Sequence, residues 1–88
     1  MDFNEIKNRI DAIGANAITI SYIETNEEDD ALFDVFVNVW PNKNAKRSFE
    51  TIVVKIETPL EKAEKISQRL YNSLGRYYKD VKYTGHEA

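Results

Sequence analysis

The side chain best suited to proton transfer at neutral pH is histidine, and the sequence has one, His86, in a polar tail behind Gly85. Tails that are not tied into a core are mobile. His86 is therefore expected to lie in solvent and to take no part in acid or base work. A carboxylate pair can do that work only when burial raises the pKa of one member, and most acids here fall in the stretch from Glu24 to Asp34 or on helix surfaces. Water keeps such groups ionised. The run Asn26, Glu27, Glu28, Asp29, Asp30 lacks the alternating oxygens and the turn glycine of a calcium loop. It reads as a solvated turn that also discourages aggregation.

Gly14, Gly75 and Gly85 are isolated, so no glycine-rich phosphate cradle is encoded. Cysteine is absent, which removes thiol nucleophiles, disulfides and thiolate zinc sites. The expectation is a non-enzymatic chain with no catalytic residue, no cofactor and no metal. Binding chemistry is what remains. Phe36, Trp40 and Phe49, with Lys46, Arg47 and Lys55 nearby, have the residue types of a stacking surface for single-stranded nucleic acid. Against it stands a net charge of −3, from fifteen acidic and twelve basic side chains, which offers no global attraction for phosphate. A second alternative, an acidic DNA-mimicking inhibitor, rests on six acids between Glu24 and Asp34, too few for an extended phosphate-like array.

These residues need elements to hold them. With 88 residues, 42% hydrophobic and 31% charged, the chain has globular composition and room for one core, so residues 1–88 read as one domain. No apolar run reaches the roughly 18 residues of a membrane span, and no basic segment leads into an apolar one at the N-terminus. With no cysteine either, a cytoplasmic, non-membrane setting is expected.

Asp2 and Glu5 open a helix in the manner of a capping box, Phe3, Ile6, Ile10 and Ile13 follow at helical spacing, and Gly14 stands where a left-handed residue would end it. From Ala17 to Thr25, Ile18, Ile20 and Tyr22 alternate with Thr19, Ser21 and Ile23, the period of a strand. Ala31 to Trp40 repeats the pattern, with Phe33, Val35, Val37 and Val39 on one face and Asp34, Phe36, Asn38 and Trp40 on the other. Pro41 to Lys46 supplies a polar hairpin loop. Arg47 to Glu57 returns as a third strand, with Ile52, Val54 and Ile56 opposite Phe49, Thr51, Val53 and Lys55.

Thr58, Pro59, Leu60 and Glu61 combine an N-cap, a first-turn proline and a capping-box glutamate. Leu60, Ala63, Ile66, Leu70 and Leu74 then form an apolar stripe that Gly75 ends. Tyr77 to Tyr83 either adds an edge strand or folds over the sheet. The expected fold is α+β, a three- to four-stranded antiparallel sheet with two helices packed on one face, order αβββα(β).

Double-stranded RNA-binding domains share the helix, three strands, helix order. Their phosphate-clamping elements have no counterpart here, where the acidic loop and Thr58 to Lys62 stand instead. Membership is therefore not assigned. The expected core is Ile6, Ile10, Ile13, Ile20, Val35, Val37, Ile52, Val54, Ile66 and Leu70. Alternation then sends Ile23, Phe36, Trp40, Phe49 and Val53 to the opposite sheet face, where something should cover them. The expected function is a protein–protein interaction module, a small subunit, adaptor or inhibitor, that binds through this aromatic face a protein partner or a second copy of itself.

Overall fold

A computed structural model describes residues 1–14, 17–26 and 31–87. The acidic run Glu27 to Asp30 lies outside the described residues. The element order is α1 (Phe3–Ile13), β1 (Ala17–Asn26), β2 (Leu32–Trp40), β3 (Glu50–Pro59), α2 (Leu60–Leu74) and β4 (Asp80–Glu87). The class is α+β, as expected. Among the described residues no helix is long and apolar enough to cross a membrane.

Local chemistry accounts for both ends of α1. The Asp2 carboxylate accepts the Glu5 amide at 2.9 Å, satisfying one of the free N–H groups of the first turn. Gly14 ends the helix at φ 76, a conformation open to glycine at no steric cost, and its N–H reaches the Ile10 carbonyl.

The four strands form one sheet in the order β3-β2-β1-β4, antiparallel except that β4 runs parallel to β1. A wholly antiparallel sheet was the expectation, and the correction has a geometric cause. Fifteen residues of α2 carry the chain roughly 22 Å back across the sheet. It re-enters at the end where β3 began, so β4 must run parallel to β3 and hence to β1, as a helical crossover requires.

Both helices cover the same sheet face. Ile6 and Ile10 of α1 and Ala63, Leu70 and Leu74 of α2 join Ile18, Ile20, Tyr22, Phe33, Val35, Val37, Val39, Ile52 and Val54 in one buried cluster. Of the ten expected core residues eight are buried, while Ile13 and Ile66 pack against the cluster only partly covered. Val81 and Tyr83 of β4 also close its edge.

Three expectations around β3 and α2 fail for connected reasons. The β2–β3 register shifts between Phe33 and Val35 and again between Val35 and Phe36, so β3 carries extra residues there. Glu57 takes φ 49, its amide donating to the Asp34 carboxylate at 2.9 Å. This irregularity leaves Ile56 exposed, away from the face of Ile52 and Val54. It also keeps Thr58 in the strand, paired with Phe33 and buried, its hydroxyl donating to the Ile56 carbonyl. Thr58 therefore does not cap α2; Pro59 occupies the N-cap without a side-chain hydrogen bond, and Leu60 is exposed. Gly75 ends α2 in the right-handed region, so its glycine character is not what stops the helix.

His86 is exposed, as expected, but it is held in a strand and not in a loose tail. It belongs to β4, pairs with Tyr22, stacks on that ring at 5.7 Å and 2°, and meets Phe33 edge-on.

Tyr22 supplies a pH prediction. Burial, reinforced by Tyr83 and Glu64, pushes its phenol from 10 up to about 12, and burial together with Asp11 raises Tyr78 as well. The folded state thus favours the protonated phenols. The Tyr22 contribution to stability is complete below the unfolded value of 10 and disappears as pH rises through about 12. That of Tyr78 fades at still higher pH. Thermal midpoints are expected to hold up to about pH 10 and fall between about 10 and 12, less steeply in Tyr22→Phe. A wild-type midpoint constant to pH 12 would contradict the buried Tyr22 phenol.

Candidate functional site

Side chains opposite the helices form the second sheet face, on which no element packs among the described residues. The C-terminal segment is not its cover, because it is spent as the edge strand β4. Of the five expected contact residues, the strand register places Ile23, Phe36, Trp40 and Val53 on this face, in two groups, and Phe49 lies just before β3.

The first group is a low apolar patch. Val53 stands directly opposite Phe36 across β2 and β3, and Ile23 flanks them from β1. Phe49 immediately precedes β3, its amide donating to the Val39 carbonyl. Phe49 is 59% and Val53 45% exposed, whereas Ile23 and Phe36 are half-buried by their neighbours. A polar pair crosses the patch, the Thr51 hydroxyl donating to the Asn38 side-chain oxygen at 2.6 Å.

Ser21 lies at the floor of a depression of about 210 Å³ bounded by Ile23, Phe36, Asn38 and Thr51. The residue is 1% exposed and its hydroxyl has no hydrogen-bond partner among the described residues. A buried hydroxyl without a partner carries a desolvation cost of about 1–3 kcal/mol. Any group that reaches the floor of this depression and offers a donor or acceptor relieves that cost.

Trp40 leaves this group. Its indole N–H donates to the Thr19 hydroxyl at 2.9 Å, which draws the ring over β1. There Trp40 lines a separate cavity of about 240 Å³ with Ala17, Ile18, Thr19, Lys43, Ala45, Asp80, Lys82 and Thr84. Lys82 reaches it because Thr19 and Lys82 are direct partners in the parallel β1–β4 pairing.

Lys46, Arg47 and Lys55, the cations expected beside the aromatics, do not line this cavity; Lys43 and Lys82 do. Reading the sequence alone missed Lys82. Its signal was the alternation of Asp80, Lys82 and Thr84 against Val81 and Tyr83, which acquires meaning only once β4 is a strand.

The chain matches no known protein family, no curated protein and no solved structure.

Proposed function

We propose that the chain is a non-enzymatic protein–protein interaction module, a small subunit, adaptor or inhibitor that works by presenting the helix-free sheet face. The observation that supports this reading is the exposure of Phe49 and Val53 on or beside a face with no covering element among the described residues. Exposed apolar side chains on or beside a hydrogen-bonded sheet are favourable contact material, since they bury area without much ordering. A cytoplasmic setting is part of the proposal, in keeping with a chain that has no cysteine.

Size sets the expected affinity. Three fully exposed aromatics would offer roughly 450–750 Å², close to the standard of about 800 Å² per partner. Here only Phe49 of the three is more than half exposed. Self-association through this patch is therefore weak to moderate, and a tighter complex requires a partner whose surface extends beyond it.

The test compares wild type with Phe49→Ser/Val53→Ser, two exposed positions whose change leaves the core untouched. Sedimentation equilibrium over a wide concentration range reports self-association, and affinity capture from the native host reports a different partner. The expected result is that the double variant loses whichever association the wild type shows while keeping its thermal midpoint. A monomeric wild type whose captured proteins are the same as the variant's would refute the proposal.

A further inference from the structure

We propose that the cavity beside Trp40 is a nucleotide site, with the base held against the indole and the phosphate held by Lys43 and Lys82. The hydrogen bond from Trp40 to Thr19 anchors the ring to β1, and the β1–β4 register sets Lys82 on the far side of that same threonine. An aromatic platform, a hydroxyl and a cation thus stand in a row across three strands. Lys43 adds a second cation from the loop that follows β2.

Neither lysine takes part in an ion pair among the described residues. Among the described residues Asp80 is the one acid lining the cavity, so the local balance there is positive where the chain as a whole carries −3. Net charge argued against nucleic acid; the charge at this site argues for it.

The ligand class follows from the combination. A bare anion would use the lysines and leave the indole idle, whereas an apolar side chain would use the indole and leave two cations unneutralised. A base carrying a phosphate uses both, by stacking and by charge. About 240 Å³ admits one ring system, with the phosphate at the rim where the lysine stems reach. This inference is independent of the protein-binding patch, because neither Phe49 nor Val53 lines the cavity.

Trp40 is the only tryptophan, so its emission reports on the site alone. The full chain is titrated with a short oligothymidylate, thymidine monophosphate, thymidine, inorganic phosphate and polyglutamate. Saturable changes are expected with the first two, with affinity at least tenfold weaker for thymidine and for phosphate. Two phosphate-binding lysines predict about 25-fold weaker oligonucleotide binding for a tenfold rise in salt.

Lys43→Gln/Lys82→Gln alters two exposed side chains and is expected to abolish the response with an unchanged thermal midpoint. An oligonucleotide at least tenfold tighter than the monophosphate identifies a single strand as the ligand, and equal affinities identify a free nucleotide. No change up to millimolar ligand, an equal response to polyglutamate, or an undiminished response in the lysine variant overturns the proposal.

Discussion

Ile20→Ala is expected to destabilise the protein by about 2–5 kcal/mol, the range for truncating a fully buried isoleucine. Ile20 is 0% exposed at the centre of the sheet, with Val37 beside it on β2 and Tyr83 on β4. These neighbours sit on the two flanking strands, held by ladder bonds that resist closing around the cavity, so the upper part of the range applies. Stabilities start near 5 kcal/mol for small domains, which makes this loss a large fraction of the whole. Ile66→Ala, at a half-buried position on α2, serves as the comparison and should cost clearly less. Urea denaturation of the three proteins decides the matter. If the two variants lost equal stability, Ile20 would not occupy the centre of the core.

Where one local rule acts alone, the sequence is readable. Alternation in β2 places Phe33, Val35, Val37 and Val39 inward, and each of them is buried. The Asp2 cap and the Gly14 stop act within a single turn and appear as expected. Reading fails where two rules compete for the same residues. Thr58, Pro59 and Glu61 satisfy the rules for a helix start, but Thr58 is also the strand partner of Phe33, and the pairing prevails. Ile56 continues a period of two that the irregular β2–β3 register interrupts, an event governed by the Asp34 bond to the Glu57 amide. No local pattern marks that bond.

The candidate site divides along the same line. Alternation sends Ile23, Phe36, Trp40, Phe49 and Val53 to the face opposite the helices, and the register agrees for the four that lie in strands, Ile23, Phe36, Trp40 and Val53. It could not show that Trp40 would be drawn from the others by a hydrogen bond to Thr19. The cations beside Trp40 depend on still longer range, since Lys82 is remote from Thr19 in sequence and meets it only through the β4 crossover. Proximity in sequence pointed instead to Lys46, Arg47 and Lys55.

That crossover carries the second large effect. A chain ending at Lys79 is expected not to fold, although it retains both helices and three strands. Removing β4 turns β1 from an interior strand into an edge and leaves unpaired the backbone that now meets Asp80 to Glu87. It also strips Val81 and Tyr83 from the cluster and the His86 ring from Tyr22 and Phe33. Full burial of an aliphatic or aromatic side chain contributes about 1.5–3 kcal/mol, of which half-buried Val81 and Tyr83 supply part. The new exposure of Ile18, Ile20 and Tyr22 and of the unpaired β1 backbone adds to the loss. Together these terms reach the whole stability of a domain this size. Val81→Ala/Tyr83→Ala keeps the backbone pairing and removes only the side chains, so it should fold with a lowered midpoint. Circular dichroism melts separate the cases: no cooperative transition for the truncated chain, and a shifted one for the double variant. A truncated chain that melted like wild type would show that β1 needs no neighbour on that side, and the parallel pairing would lose its structural role.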